Sequence, residues 1–383
     1  MNKTLIYIDN LERYTFYTRL MDALQDDEVF IILTNKLSIY MQVKEKHKSY
    51  LLKNNRSAVA YSEDLESTLS VACNYHTLKK AKEISSTVNA ALLDIVEKEK
   101  FKMVFVFNGT TTIGKTIGDF CKNRDIAIRF IEISNLPNKL FVDSKGTNAQ
   151  SFIYETPQLL DDDRVDDREF LKWKEIYIQT KSAPKQAKNK TKIRYMMIVD
   201  YLGYYFFNIL QEDFRNPLKV LKNKILNNRV QQFPNYSLDE EYIFFPLQVS
   251  NDSQIILNSD VDNIGAINSI KKKYPLYKVY IKPHPAEENS SFITQIESMQ
   301  NDNVRIVLND TNELIINAKK VITINSTVGL EAMIFNKEVE VLGRALYSEF
   351  TNERLKSYIC RYLINIDYFD GRISREEARR LYE

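Results

Sequence analysis

Three polar clusters between residues 242 and 342 hold the side chains of this sequence that are best suited to chemistry. The clusters are Gln248–Ser253, Lys282–Pro285 and Asn325–Thr327, and each comes directly after an apolar, strand-like run. Open parallel sheets bind their ligands at the carboxyl ends of the strands. The spacing therefore predicts that the three clusters line one ligand-binding crevice.

The third cluster has the residue types of a phosphate site at the start of a helix. Ser326 and Thr327 precede a helix-like run, and the N–H groups at a helix start bind anions. Gly329 leaves room for a ligand or a neighbouring backbone, and Asn325 and Glu331 add polar groups, Glu331 with acceptors for ribose hydroxyls. The alternative is a plain N-cap without a ligand.

The second cluster combines a lysine with a histidine held between two prolines. Pro283 and Pro285 favour an extended, rigid loop around His284. Lys282 and His284 would offset negative charge on a departing phosphate. A histidine that only caps the end of a strand is the alternative.

The first cluster contains the candidate nucleophile, Asp252. It follows a buried strand, and Gln248, Asn251 and Ser253 supply donors that can orient its carboxylate. Two-step transfer of a glycosyl group needs a carboxylate of this kind, with an acid/base group nearby. A turn built from Asn, Asp and Ser is the alternative.

The N-terminal half contributes a second set of polar residues at predicted strand ends. They are Asn108 and Gly109 after one strand, Glu132 at the end of the next, and Asn148 and Ser151 in the loop that follows. We expect them to face the acceptor of the transferred group, with ordinary turn chemistry as the alternative.

These residues require a scaffold in which strands alternate with helices. Strands are predicted at 4–8, 29–34, 103–107, 127–132, 242–247, 277–282, 304–307, 320–324 and 338–342. Helices are predicted at 79–99, 112–123, 165–180, 260–273, 290–299, 311–318 and 327–336. Alternation of this kind indicates an α/β protein with parallel sheets. We predict an N-terminal acceptor-side domain over 1–240 with a helical, basic linker at 157–240. A nucleotide-binding domain over 241–345 and a helical closing segment over 346–383 would follow.

Composition narrows the class of protein. The formal net charge is +2, the three cysteines have no metal spacing, and no apolar run approaches the ~18 residues of a membrane span. We expect a soluble, cytoplasmic protein that binds no nucleic acid, because its basic runs lack interleaved aromatic residues. The basic, amphipathic stretch 217–230 is either an ordinary surface helix or a peripheral contact with the inner membrane.

The sequence resembles the bacterial capsule-polysaccharide biosynthesis family, in particular its retaining β-Kdo glycosyltransferases. The resemblance lies in ordered pieces between about 100 and 345, with Thr147 where the family has Val. The matching pieces are Asn108-Gly109, Phe130–Glu132 with Pro137, Gly146–Ser151, Pro246–Gln254, Lys282–Pro285 and Asn325–Ala332, and Tyr14–Leu20 also fits.

The resemblance implies a GT-B-like fold, with two Rossmann-type domains facing across a cleft, and CMP-β-Kdo as the donor, without a metal or other cofactor. Asp252 would be the nucleophile, His284 would lie near the donor phosphate, and Glu132 would be the acid/base, with Asp143 and Glu155 as rivals. The acceptor would be a glycan or a lipid-linked sugar. An inverting CMP-sialic acid transferase, a CDP-polyol phosphotransferase and a non-catalytic assembly module remain alternatives.

Overall fold

The computed structural model describes residues 1–55, 60–134, 136–180, 190–212 and 233–383, with the side chains of 190–195 left out. The chain divides into two compact units. The first comprises Met1–Asp213 together with Lys356–Glu383, and the second comprises Phe214–Leu355.

The first unit is built on a six-stranded sheet. Its strands are β1 (Asn2–Ile8), β2 (Glu28–Thr34), β3 (Lys48–Leu51), β4 (Met103–Phe107), β5 (Ala127–Ile133) and β6 (Leu140–Asp143). Their order is β3-β2-β1-β4-β5-β6, and all neighbours are parallel except β5 and β6.

Helices cover this sheet and extend beyond it. They are α1 (Leu11–Leu24), α2 (Leu37–Val43), α3 (Leu69–Ala72), α4 (Leu78–Glu99), α5 (Thr112–Lys122), α6 (Phe152–Glu155), α7 (Asp167–Thr180) and α8 (Lys190–Phe206). Short 3-10 helices lie at Leu65–Ser67, Asn148–Gln150 and Pro157–Asp161.

The second unit has a five-stranded, fully parallel sheet. Its strands are β7 (Tyr242–Pro246), β8 (Lys278–Lys282), β9 (Val304–Ile306), β10 (Lys320–Thr323) and β11 (Val339–Val341), in the order β11-β10-β7-β8-β9. Its helices are α9 (Ser253–Asn258), α10 (Asn263–Lys273), α11 (Ser290–Ser298), α12 (Thr311–Asn317) and α13 (Thr327–Ile334). Then α14 (Asn352–Ser357), a π-helical turn at Tyr358–Tyr362 and α15 (Arg375–Arg379) lead to the C-terminus.

Both sheets have the Rossmann strand order. Counted along the chain within each unit, the order is 3-2-1-4-5, and the first unit adds β6 at one edge. The direction of winding reverses between β1 and β4 in the first sheet and between β7 and β10 in the second. Such switch points open a crevice at the carboxyl ends of the strands. The prediction of an α/β protein with two Rossmann-type domains, the domain composition of the GT-B fold, is confirmed.

Each sheet is buried on both faces, as its apolar strands require. In β1, Ile6 and Ile8 pack with the side chains of α1, whereas Leu5 and Tyr7 pack with those of α4 and α5. The C-terminal tail supplies Ile364, Ile366, Tyr368 and Leu381 to the core on the α1 side. The tail beyond Lys356 therefore completes the core of the first unit.

The two edge strands β3 and β6 and several helices were not predicted from the sequence. The unpredicted helices are α1, α2, α3, α6, α8 and α9. The stretch 217–230, for which a membrane contact was considered, lies outside the described residues. Among the helices of the described ranges, none is long and apolar enough to span a bilayer.

The buried Asp143 at the end of β6 fixes the loop that follows. Its Oδ1 accepts hydrogen bonds from the backbone N–H groups of Lys145, Gly146 and Phe152 at 2.7, 3.1 and 2.9 Å. Its Oδ2 accepts from the backbone N–H of Ile153 at 3.2 Å and from the Tyr362 hydroxyl at 2.8 Å. This carboxylate sets the path of residues 144–153.

We predict that Asp143→Asn lowers the free energy of unfolding by about 2–4 kcal/mol, because an amide nitrogen would face buried N–H donors. The control Asp119→Asn breaks only the half-exposed pair with Lys115, which costs about 1 kcal/mol or less. Urea denaturation of both variants measures the difference. Equal unfolding midpoints would show that Asp143 does not anchor the loop.

Candidate functional site

A pair of amide side chains joins the two strand ends at the switch point of the second sheet. Gln248 follows β7 and Asn325 follows β10. The Gln248 Nε2 donates to Asn325 Oδ1 at 2.9 Å, and the Asn325 backbone N–H donates to Gln248 Oε1 at 3.2 Å. The first and third predicted clusters therefore meet at the place where a Rossmann-type domain binds its ligand.

Further amide contacts hold both residues of this pair. The buried side chain of Asn263 accepts from the Gln248 backbone N–H at 3.2 Å and donates to its carbonyl at 2.9 Å. The Asn325 Nδ2 donates to the carbonyls of Gln254 at 2.8 Å and Asn258 at 3.3 Å. Two neutral amides thus tie both strand ends to α9 and to the start of α10.

Asp252 lies beside this amide pair, as the N-cap of α9. Its Oδ1 accepts from the backbone N–H of Gln254 at 2.8 Å, and its Oδ2 accepts from Gln248 Nε2 at 3.3 Å. The residue is half-buried, with Asn251 exposed on one side and Ser253 half-buried on the other. The carboxylate is therefore oriented by donors, as the sequence predicts, and it also has a capping role.

The third cluster forms the start of α13. Ser326 is its N-cap, and the Ser326 Oγ accepts from the backbone N–H of Val328 at 3.3 Å. Thr327 and Glu331 are half-buried in the first two turns. Tyr347 packs across this start, with its hydroxyl donating to the Ser326 carbonyl.

Gly329 makes room for this tyrosine. A Cβ at this position would lie 2.3 Å from the Tyr347 hydroxyl oxygen and 2.7 Å from two of its ring carbons. The sequence predicted space for a ligand or a neighbouring backbone there, and a tyrosine ring fills it. Tyr347 carries no sequence signal that would have identified it.

The second cluster lies beyond β8. Lys282 Nζ donates to the Asn309 carbonyl at 2.7 Å and to the Thr311 hydroxyl at 2.9 Å. His284 is exposed, and its Nδ1 accepts from the backbone N–H of Ala286 at 3.1 Å. A neutral imidazole bonded in this way carries its proton on Nε2, which makes Nε2 a hydrogen-bond donor.

Glu287 joins the second cluster to the first. Its carboxylate accepts from the Ser250 backbone N–H at 2.6 Å, from the Ser250 hydroxyl at 3.2 Å and from the Asn289 N–H at 2.8 Å. The loops that carry Asp252 and His284 are therefore linked by a carboxylate. Sequence reasoning missed Glu287, since an acid in a polar loop has no distinguishing pattern.

The switch-point side of the first sheet is organised around Glu132 at the end of β5. Asn108 Nδ2 donates to Glu132 Oε1 and Asn148 Nδ2 donates to Oε2, both at 3.0 Å. Both asparagines have left-handed backbones, with φ of 67° and 53°, and Gly109 has a φ of 80°. Asparagine and glycine tolerate this conformation, which turns the two amides onto the carboxylate.

The environment of Glu132 suits proton transfer near neutral pH. Burial raises its pKa to about 7, against the opposing effects of a Thr147 hydrogen bond, the positive charge of Arg13 and the two asparagine amides. Although Glu132 keeps some exposed surface, its carboxyl group is enclosed by these neighbours. A general base is most effective when its pKa lies close to the working pH.

Arg13 is a site residue that sequence reasoning missed. It lies in the first turn of α1, forms an ion pair with Asp9 at the end of β1, and its guanidinium carbon is 4.2 Å from the centre of the Phe107 ring. Asp9 and Phe107 thus place this charge at the switch point between β1 and β4. The Asp9–Arg13 spacing of four residues was the available signal.

The remaining acceptor-side residues have structural partners. The buried Ser151 hydroxyl donates to the Asn148 carbonyl at 2.6 Å and accepts from the Tyr154 N–H at 3.2 Å. Glu155 is paired with Lys145 near the surface. With Asp143 occupied by loop donors, Glu132 is the carboxylate among the three rivals whose surroundings fit proton transfer.

Comparisons with known proteins show which family this chain belongs to. A family model described as "Capsule polysaccharide biosynthesis protein" matches residues 124–350. FixF of Sinorhizobium fredii is 32% identical over 126 residues, 31% of this chain and 30% of that protein. The capsule polysaccharide export protein KpsS of Escherichia coli is 33% identical over 142 residues, 34% of this chain and 35% of that protein.

The matched segments span only about a third of the length of these two relatives. Among solved structures, the β-Kdo 2,7-transferase KpsC of Thermosulfurimonas dismutans has a TM-score of 0.47 at 13% identity, over 100% of this chain and 98% of that one. The family model covers more than half of the sequence. The chain therefore belongs to the family of capsule polysaccharide biosynthesis proteins.

Proposed function

We propose that the protein is a retaining glycosyltransferase that moves β-Kdo from CMP-β-Kdo to a glycan or glycolipid acceptor during synthesis of a bacterial surface polysaccharide. The observation that carries the proposal is the cluster of Gln248, Asp252 and Asn325 at the switch point of the second sheet. It combines an oriented carboxylate with the start of α13, where a nucleotide phosphate would bind. Family membership and the partial likeness to KpsS favour a role in capsule synthesis.

The residues proposed to bind the donor are those that can offset the negative charge of the CMP phosphate or bind its ribose. The N–H groups at the start of α13, together with the hydroxyls of Ser326 and Thr327, would bind the phosphate. His284 would add the donor on Nε2, and Glu331 would accept from the ribose hydroxyls. In this scheme protein donors alone offset the charge on the departing phosphate, without a metal ion.

In the first chemical step, an oxygen of the Asp252 carboxylate forms a bond to the anomeric carbon of Kdo. The bond from that carbon to the phosphate oxygen breaks, and CMP leaves with the electron pair. The anomeric carbon passes through an oxocarbenium-like state that the Asp252 carboxylate stabilises. The product is an ester between Kdo and Asp252.

In the second step, the acceptor hydroxyl attacks the anomeric carbon as the bond to Asp252 breaks. The ionised Glu132 takes the hydroxyl proton, and the Asp252 carboxylate is regenerated. Two inversions give net retention of the anomeric configuration. Asn108 and Asn148 would keep the Glu132 carboxylate oriented toward the acceptor. Gly109 leaves space for the Phe130 ring, since a Cβ there would lie 2.5 Å from two of its carbons.

We predict that Asp252→Asn lowers kcat by about 10³-fold or more with CMP-Kdo and a Kdo-accepting glycan. Asn caps helices as well as Asp does, so a purely capping role would leave turnover almost unchanged. Asp262→Asn is a matched control, because Asp262 is the N-cap of α10 and accepts from the Gly265 N–H at 2.7 Å. Near wild-type turnover of Asp252→Asn would refute the nucleophile.

Product analysis of the same assay separates the alternatives. Inversion of the anomeric configuration would favour a sialyltransferase-like enzyme, and transfer from a CDP-polyol would favour a polyol phosphotransferase. Either result would overturn the Kdo proposal. An inactive protein without measurable affinity for CMP would fit a non-catalytic assembly module.

We predict that Ser326→Ala combined with Thr327→Ala weakens CMP binding by about 5- to 30-fold, because one or two hydrogen bonds to the phosphate would be lost. Isothermal titration calorimetry measures the affinity. Thr77→Ala is the control: it removes an N-cap from α4, where the Thr77 Oγ1 accepts from the Lys80 N–H. A CMP affinity unaffected in the double variant would place the phosphate elsewhere.

We predict that Glu132→Gln lowers kcat by about 10²-fold or more, since general-base catalysis has this magnitude. The base is the ionised form, so wild-type activity should fall as the pH drops below about 7. The variant should lose that acidic limb of the pH profile. Glu155→Gln, which removes the carboxylate paired with Lys145, should keep both the rate and the limb; a limb that persists in Glu132→Gln belongs to another group.

A further inference from the structure

Helix α8 presents an unusually apolar surface to solvent. Its exposed large side chains, with the following Phe207, are Met197 (55%), Ile198 (59%), Tyr201 (37%), Leu202 (45%), Tyr205 (67%), Phe206 (75%) and Phe207 (54%). The spacing of four residues within the helix places them on one side. We call these seven residues the α8 face. Exposed apolar patches of this kind mark interaction sites.

The opposite side of α8 is fastened to the first unit. The Asp200 carboxylate accepts from the backbone N–H of Ser38 at 2.8 Å and from the Ser38 hydroxyl at 2.9 Å. Lys36 Nζ donates to the Tyr204 hydroxyl at 2.9 Å. A Cβ at Gly203 would lie 2.8 Å from Ile209, so the helix backbone packs closely there. The α8 face is therefore displayed by a firmly seated helix.

The side chains of the α8 face suit the boundary between water and lipid. Tyr201 and Tyr205 have ring centres 4.9 Å apart and hydroxyls 3.4 Å apart, so each combines an apolar ring with a polar tip. Aromatic residues of this kind concentrate at membrane interfaces. Asp200 is the one acidic residue of α8, and its carboxylate is turned away from the α8 face and accepts hydrogen bonds from Ser38.

Basic residues are concentrated in the sequence that leads into the α8 face. Residues 181–199 contain no acid and six basic residues: Lys181, Lys185, Lys188, Lys190, Lys192 and Arg194. The rest of the chain carries a formal net charge of −4, since the whole chain has +2 and this stretch contributes +6. A sequence in which a run of positive charge leads into apolar and aromatic residues is typical of helices that lie on anionic membranes.

We propose that the α8 face lies on a membrane surface that contains anionic phospholipid and holds the first unit there as a peripheral contact. A second copy of the chain is a poorer occupant, because the sequence that leads into the α8 face has six basic residues and no acid, and so offers no opposite charge to a copy of itself. The inference does not depend on the reaction at Asp252 or Glu132. It also concerns different residues from the stretch 217–230.

The test is flotation of the full chain with lipid vesicles at low salt. Vesicles with phosphatidylglycerol as about a third of their lipid should bind the protein about tenfold or more tightly than pure phosphatidylcholine vesicles. Tyr205→Ser combined with Phe206→Ser should weaken this binding about tenfold or more. Leu276→Ser combined with Ile316→Ser is the matched control, since these residues are exposed by 93% and 48% in the second unit.

Tryptophan fluorescence gives a second readout, and its substitution, Phe206→Trp, keeps the surface apolar. Phe206→Trp should show a blue shift with phosphatidylglycerol vesicles, whereas Leu276→Trp should not. Activity toward a water-soluble acceptor should be unchanged in the Tyr205→Ser/Phe206→Ser variant, so failure of this inference and failure of the proposed reaction are distinguishable.

Several results would overturn the inference. They are failure to bind phosphatidylglycerol vesicles, equal binding to both lipids, and equal weakening by the control pair. A dimer in sedimentation equilibrium that dissociates in the Tyr205→Ser/Phe206→Ser variant would assign the α8 face to a second copy. Identical fluorescence responses of Phe206→Trp and Leu276→Trp would also contradict it.

Discussion

The reciprocal amide pair between Gln248 and Asn325 is the interaction on which the candidate donor site depends. It joins the ends of β7 and β10, where the two halves of a Rossmann-type sheet diverge and no backbone pairing continues. Buried amides left without partners would be costly, so each contact that satisfies one also fixes a neighbour. Asp252, the start of α9 and the start of α13 take their positions from this pair.

In the first sheet, side-chain amides likewise hold the candidate residue in place, and here that residue is Glu132. At its switch point Asn108 and Asn148 direct their amides onto Glu132. Both amides donate to the carboxylate and therefore orient it and favour its ionised form. They oppose the effect of burial, which raises the pKa of Glu132 to about 7.

The sequence was most informative for elements with a strong local pattern. The strands β4 and β10 are apolar runs that pair within buried sheets, and α4 is a long amphipathic helix; all three were predicted. In contrast, β3 and β6 are short edge strands, which form because a neighbour offers a free edge and not because of their own residues. Their existence is a tertiary property.

The contacts of the candidate site also fall into those that the sequence could predict and those that it could not. That Gln248 and Asn325 would meet followed from a rule about strand ends, which needs only the order of elements. Other contacts depend on how two loops pack against each other. Examples are the bridge from Glu287 to Ser250 and the position of Tyr347 in the space beside Gly329. Single polar residues in loops carry no periodicity, so their partners cannot be read from the chain.

The nucleophilic role proposed for Asp252 is compatible with its capping role, because the two would use different oxygens. The short contact from the Gln254 N–H, at 2.8 Å, engages Oδ1 and fixes the plane of the carboxylate. Oδ2 accepts the longer contact from Gln248 Nε2, at 3.3 Å, and that amide is already engaged by Asn325 at 2.9 Å. A weakly held oxygen on a firmly held carboxylate loses little on bonding to carbon, whereas a carboxylate with two strong partners would first have to give one up. The helix start that makes Asp252 look structural is therefore also what would prepare it for attack.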